Sequence, residues 1–256
     1  MYKSLFSLEN KTVIVTGGNG YLGREIVRAM SDFGASVVAA DLQLAEHEGE
    51  RIVSAACDVS DTESIRRLFS ETRETFGGID VLINCATYGA GYGPLGTVER
   101  MSDEDWARGL DGAVGTSFRC TREAVPHLEA AGGGSIVNIA SMYGMVSPDP
   151  SIYGTSGANN PANYGAGKAA VIQFTRYCAA HLAAKGIRVN SVTPGPFPNP
   201  KVQQDEAFLA RLNSKTMLGR VGKAHEIVGA VLYLASGASS FVTGSNIVVD
   251  GGWTAW

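Results

Sequence analysis

Cysteine is scarce in this chain. Cys57, Cys85, Cys120 and Cys178 lie far apart among 256 residues, with no C-x-x-C pair and no histidine at ligand spacing. That excludes a disulfide framework and a structural zinc site, and core packing is the expected role of all four. Positive charge is in short supply too, with 21 Lys and Arg against 25 Asp and Glu for a formal net charge of -4. With no basic patch, a nucleic-acid partner is not expected. Long apolar runs are also missing. Nothing approaches the ~18 residues of a membrane-crossing helix, and Glu9 interrupts the start before a signal-peptide core could form. The expectation is a cytoplasmic protein with no membrane partner and no metal. Two catalytic motifs are absent as well. There is no G-x-S-x-G for a hydrolase elbow, and Gly167-Lys168 fails as the end of a P-loop because Ala169 follows it and no glycine stands at 162.

What the chain does hold is an alternation of short β-branched runs with longer helical stretches. Thr12 to Thr16 reads as a buried strand, Gly20 to Phe33 as a helix and Ser36 to Asp41 as a second strand. Arg51 to Cys57 is a third strand. Ser60-Asp61-Thr62-Glu63 has the form of a capping box opening a helix to about Phe76. Asp80 to Asn84 and Ser135 to Ala140 supply the fourth and fifth strands, with a long glycine-interrupted helix between them from Ser102 towards Glu129. After a helix at Tyr164 come a strand from Ile187 to Val192, helices over 203–214 and 223–235, and a last strand from Asn246 to Val249. Parallel strands need crossovers, so this order predicts an α/β fold: a doubly wound parallel sheet with helices on both faces, in one domain over 1–256.

The first strand runs straight into Gly17-Gly18-Asn19-Gly20-Tyr21-Leu22-Gly23, and a helix begins inside that loop. Glycines there let the backbone turn sharply and approach a pyrophosphate seated on unpaired helix N-terminal NH groups. Asp41 closes the second strand at the spacing where a carboxylate receives the two adenosine-ribose hydroxyls. The same carboxylate repels a 2'-phosphate, which favours NAD over NADP. Arg24, just past the loop, is the contrary signal unless it is a solvated helix residue.

Tyr164 and Lys168 stand one helical turn apart on one face of the Asn163-Tyr164-Gly165-Ala166-Gly167-Lys168 segment. A phenol titrates near ~10, and a fixed cation beside it favours the phenolate, which makes a proton donor and acceptor from a weak acid. Alone, such a pair is usually a packed ring beside a solvated amine.

With these motifs in order, the chain resembles the short-chain dehydrogenase/reductase family, in its compact branch, over essentially its whole length. Thr16-Gly17 with Gly23 resembles the cofactor loop, Asp58-Val59 the adenine-contacting pair, and Asn84-Cys85-Ala86 the Asn-Asn-Ala-Gly strand end. Ser141, Tyr164 with Lys168, Pro194-Gly195, and Val242-Thr243-Gly244 with Val249-Asp250-Gly251-Gly252 complete the set. The resemblance implies a Rossmann-like seven-stranded sheet, hydride transfer between nicotinamide and a secondary alcohol or ketone, and a homotetramer or homodimer. It implies a cofactor half over about 10–140 and catalytic and substrate elements over about 141–256. Ser141, Tyr164 and Lys168 become the catalytic group. The cofactor contacts become Gly17, Asn19, Gly20, Tyr21, Leu22, Gly23, Asp41, Asp58, Val59, Asn84, Ala86, Tyr164, Lys168, Pro194, Gly195 and Phe197.

The departures are specific. Gly20 gives the glycine loop the spacing of the family's extended branch, and Tyr21 sits where small residues are common. Ala113 occupies the position of an asparagine that normally holds a water behind the lysine. Thr87 replaces a glycine, and no threonine follows Pro194-Gly195 at the usual place. Ser141 and Tyr164 are also roughly twice as far apart as is usual. Tyr153 is at the ordinary distance, but Gly157 stands where it would need a lysine, so Tyr164 is retained and 147–161 becomes an inserted loop over the active site. With the polar segment 195–216, that loop favours a hydroxylated or sugar-like substrate. Two alternatives stay open: Ala113 fits a non-catalytic NAD(H) sensor or scaffold, and the glycine spacing fits an epimerase or dehydratase that uses bound NAD.

Overall fold

The computed structural model describes residues 2–89 and 93–256. Among these residues seven strands form one sheet: β1 (Thr12–Thr16), β2 (Ser36–Asp41), β3 (Ile52–Ala56), β4 (Val81–Asn84), β5 (Gly134–Ile139), β6 (Ile187–Pro194) and β7 (Asn246–Val249). Their order is β3-β2-β1-β4-β5-β6-β7, and every neighbouring pair is parallel. The chain first builds outward from β1 and then returns to add β4 on its other side. Such a reversal leaves a crevice beyond the carboxyl ends of β1 and β4, because the crossovers on either side depart in opposite directions.

Burial on both faces explains the continuous apolar strands. Val13, Val15, Val37, Val81 and Ile83 point to one face, where they meet Ile26 and Met30 of α1 (Tyr21–Asp32) and Val231 and Leu234 of α7 (Val228–Ala235). Ile14, Val38, Leu82 and Ile136 point to the other. There they meet Ile65 and Phe69 of α2 (Thr62–Phe76) and Leu128 of α4 (Thr116–Ala130). The period-two alternation thus fills two cores at once.

Two local expectations are corrected. The N-cap of α2 is Asp61, not Ser60: its carboxylate accepts from Glu63 N and Ser64 N, and a charged cap complements the helix end. The long helix predicted from Ser102 is three pieces, namely α3 (Asp103–Leu110), a π-turn over Asp111–Gly115, and α4. The break has a packing cause. The π-turn is pressed against α5 (Ala162–Leu182), where a Cβ added at Gly167 would lie 2.6 Å from the Ala113 Cβ. Small residues at both positions let the turn reach the helix beside Lys168.

Gly167→Val is therefore expected to destabilise the coenzyme-free protein by about 1–3 kcal/mol, the range for overpacking. Urea unfolding would show this, and an unchanged midpoint would mean that the two elements are not in tight contact.

Candidate active site

The crevice at the switch point is a cavity of about 800 Å³. At its centre Thr16 ties two strand ends together, its Oγ1 accepting from Cys85 N at 3.2 Å and Ala86 N at 3.4 Å. The glycine loop passes over β1 into α1 with no room for a side chain at Gly17 or Gly23. A Cβ at Gly23 would fall 2.0 Å from Gly17 O. Asp41 closes one end, its two oxygens accepting from Asn19 N (3.0 Å) and Leu42 N (2.8 Å). Those bonds fix a carboxylate facing the cavity and leave lone pairs for two further donors. Asp58 is held in the same way by Ser60 N and Oγ at 2.8 and 2.6 Å, and the Ser60 bonds keep its carboxyl below the usual carboxylate range. Val59 beside it is fixed through its carbonyl, which accepts from Arg119 Nε at 2.9 Å. Arg119 in turn clamps Asp111 of the π-turn at 2.7 Å, and Tyr88 donates to the same carboxylate.

At the other end stand Ser141, Tyr164 and Lys168. Ser141 follows β5, and Tyr164 opens α5 with Ser141 near enough to act on its hydroxyl. Lys168, one turn on, is 4% exposed and donates from Nζ to Ile139 O at 2.8 Å. Its Nζ lies 5.9 Å from the Tyr164 ring centre. Burial pushes Tyr164 above its ordinary value, the Ser141 bond acting against it, and burial pulls Lys168 down to about 8. In the chain alone, then, burial sets the direction for the phenol, contrary to the lowered value expected from the spacing. Cys85 shares this environment. Its thiol feels Lys168, lines the cavity and is pushed up to about 11 by burial, so it stays protonated at neutral pH.

Two segments beyond the strands pack on each other. The insertion contains a 3-10 turn, Pro150–Tyr153, whose Ile152 is buried with Met142, Leu212 and Trp253. It is tied to α6 (Glu206–Lys215) by Lys215 to Asp149 at 2.6 Å, by Arg211 to Ile152 O, and by Tyr153 stacked on Phe208. Nearer the cavity, Gln203 Nε2 reaches Tyr21 Oη at 3.3 Å, so the large side chain in the glycine loop meets the segment after β6. Tyr153 belongs to this outer packing and is absent from the lining of the 800 Å³ cavity.

The cavity brings together Gly17, Gly20, Tyr21, Leu22, Gly23, Asp41, Asp58, Val59, Ala86, Ser141, Tyr164, Lys168, Pro194, Gly195 and Phe197. Asn19 and Asn84 stand apart from it. Asn19 uses its side chain on Gln43 O and His47, and Asn84 turns inward to Asn138 Oδ1 at 2.8 Å. Arg24 is occupied with the carbonyls of Asn19 and Glu46. Lining residues outside the expected contact set include Cys57, Cys85, Thr87, Tyr88, Arg108 and Asn199. Cys85 corrects the expectation of four core cysteines; it is half-buried in the cavity wall, whereas Cys57, Cys120 and Cys178 are buried. Strand-end position marked Cys85 and Thr87, but nothing in the pattern of α3 marked Arg108.

A glycine cradle, an oriented carboxylate and a Ser-Tyr-Lys group in one crevice define a nicotinamide-dinucleotide oxidoreductase site. A family model described as Enoyl-(Acyl carrier protein) reductase matches residues 19–254. The 2,5-dichloro-2,5-cyclohexadiene-1,4-diol dehydrogenase of Sphingobium indicum is 35% identical over 261 residues, covering 97% of this chain and 98% of that protein. The cis-4-hydroxycyclohexanecarboxylate dehydrogenase of Sinomonas cyclohexanicum is 32% identical over 254 residues, covering 96% and 97%. A short chain dehydrogenase structure from Leptospira borgpetersenii with bound NAD+ superposes with a TM-score of 0.86 at 32% identity, covering 96% and 93%. The chain belongs to the short-chain dehydrogenase/reductase family and is an NAD(P)-dependent oxidoreductase acting on CH-OH groups. Among the described residues no helix is long and apolar enough to cross a membrane, and no cluster of His, Cys, Asp and Glu is arranged to hold a metal.

The lowered Lys168 value has a thermodynamic signature. Between about 8 and the ordinary 10.5 the unfolded chain binds a proton that the folded chain does not, so this group makes stability rise with pH across that window. Raised cysteine thiols act oppositely above 9.0. The quantity to read is therefore the difference between wild type and Lys168→Met in urea unfolding without coenzyme. It should shift in favour of wild type as pH rises from about 8 towards 10.5, and a flat difference would contradict a neutralised, buried amine.

Proposed function

We propose that this chain oxidises a secondary alcohol on a hydroxylated ring or sugar-like substrate, or reduces the corresponding ketone, with NAD preferred over NADP. The single observation that carries the reading is that Ser141, Tyr164 and Lys168 line the same cavity as the oriented Asp41 carboxylate. Residues about 10–140 bind the coenzyme, with Gly17, Gly20, Tyr21, Leu22 and Gly23 around the pyrophosphate, Asp41 on the adenosine ribose, and Asp58 and Val59 at the adenine. Residues about 141–256 supply the reacting groups, with Pro194, Gly195 and Phe197 near the nicotinamide. Asn19 and Asn84 act through others, Asn19 by shaping the loop that orients Asp41 and Asn84 by bracing the strand end.

When bound, the nicotinamide accepts or supplies the hydride. The chain does the rest. Tyr164 Oη exchanges the proton with the substrate oxygen, and Ser141 Oγ hydrogen-bonds that oxygen and fixes its direction. Lys168 keeps a positive charge behind the phenol below about pH 8, held in place by Ile139 O. Positioning is the main catalytic contribution, since aligned reactants in a dry crevice avoid most of the entropic cost of encounter.

NAD preference is supported by Asp41, by Arg24 being engaged with backbone carbonyls, and by the NAD+ bound in the Leptospira relative. A cyclic alcohol is supported by the ring diol and ring hydroxy acid in the relatives' names. We further read the protein as cytoplasmic and as a homodimer or homotetramer, with Phe118 of α4 and Tyr177 of α5 exposed where a second copy would cover them.

A panel of ring alcohols, polyols and aliphatic alcohols with NAD tests the substrate class; turnover confined to aliphatic alcohols would refute it. Tyr164→Phe should lower turnover about 100- to 10,000-fold, the range for a lost acid/base group, while NADH still quenches tryptophan fluorescence. Undiminished turnover in that variant would remove Tyr164 from its role. Asp41→Ala should cost NAD about 10- to 100-fold in kcat/KM, the worth of charged hydrogen bonds, with little change for NADP. Equal losses with both coenzymes would show that Asp41 does not read the ribose.

A further inference from the structure

Charge is unevenly distributed along the cavity. Its charged lining residues are Asp41 and Asp58, which flank the adenosine region, and Lys168 and Arg108. Lys168 is buried and committed to Ile139 O. Arg108 is different: it is exposed on the last turn of α3, and among the described residues its guanidinium makes no hydrogen bond or ion pair. Glu104 and Asp105, one turn earlier on the helix, are not paired with it.

Its neighbours fix which end it serves. Asn163, immediately before Tyr164, donates from Nδ2 to Asp105 O at 2.7 Å. Gly109, immediately after Arg108, lies so close that a Cβ there would sit 2.4 Å from the Asn163 Cγ. The last turn of α3 is thereby locked to the start of α5. On its other side the Arg108 stem runs beside Gly89 in the loop after β4, with its Cγ 3.0 Å from where a Cβ would be. Thr87, just before in that loop, also lines the cavity. An unpaired guanidinium is thus held at the reacting end of the crevice. A pyrophosphate has its own anchor in the α1 N-terminus, so it does not account for this cation.

We propose that Arg108 receives a carboxylate on the substrate, so that the preferred alcohols are ring hydroxy acids. This rests on the hydride-transfer reading above and narrows it. A guanidinium pairs with a carboxylate through two parallel hydrogen bonds, which sets orientation as well as attraction. Anchored at its carboxylate, the substrate presents a remote carbinol to Tyr164 and Ser141.

The test compares cis-4-hydroxycyclohexanecarboxylate with its neutral carboxamide and with cyclohexanol, each oxidised with NAD by wild type, Arg108→Gln and Arg108→Lys. Wild type should favour the acid. Arg108→Gln should lower kcat/KM for the acid at least tenfold, mainly through KM, and leave the amide, cyclohexanol and the KM for NAD unchanged. Arg108→Lys should recover part of the loss. Calorimetry of 4-oxocyclohexanecarboxylate binding to the NADH complex should show the same ranking without turnover. Equal use of acid and amide by wild type, or a uniform rise in the KM for NAD in Arg108→Gln, would overturn the carboxylate role while leaving hydride transfer intact. Failure of all three alcohols would overturn the ring-alcohol reading and this one together.

Discussion

The site depends on keeping one ammonium out of water. Lys168 is nearly fully buried, and a charge so placed is tolerated only with a partner that satisfies it. The partner is Ile139 O at the carboxyl end of β5. For that bond to form, α5 must lie close along the strand end, and the π-turn must close the space behind it. Ala113 and Gly167 meet that demand by having almost no side chain. The position where the family usually has an asparagine is therefore part of a tight helix contact in this protein. The same placement puts Tyr164 beside Ser141 and lines both up with the crevice left by the strand reversal.

Much of this was legible in the sequence because it rests on local chemistry. Buried parallel strands read as continuous apolar runs, and the TVIVT of β1 followed by glycines is such a run at the point where a helix must begin. Asp41 at a strand end and Tyr164 one turn before Lys168 are likewise set by short-range geometry. What could not be read depends on partners far away in the chain. The break at 111–115 comes from pressure by α5, and the inward turn of Asn84 comes from Asn138 on the neighbouring strand. Asn138 in turn donates to Thr175 on α5, so a polar line crosses the sheet from β4 to the helix that carries Tyr164 and Lys168. Arg108 looked like any helical cation until α3 was docked.

The acid-base balance of the site is likewise a tertiary property. Four-residue spacing places a lysine beside a tyrosine, but burial decides the direction in which each group moves. The phenol rises and the amine falls, which leaves a protonated tyrosine and a lysine that discharges within reach of ordinary pH. A site prepared in this way resists ionising until another charge or a hydrogen-bonding oxygen enters the crevice.

The packing of the insertion against α6 carries one more consequence. Ile152 and Leu212 share a small core, Lys215 pairs with Asp149, and Tyr153 stacks on Phe208. Two stretches about sixty residues apart in sequence thus form a single plate, comparable in build to a miniature domain. Swinging α6 outward drags the 150–153 turn with it, whereas tearing the two apart exposes the core between them. Shortening the insertion would therefore remove one half of the small core that holds α6, a helix it never touches in sequence.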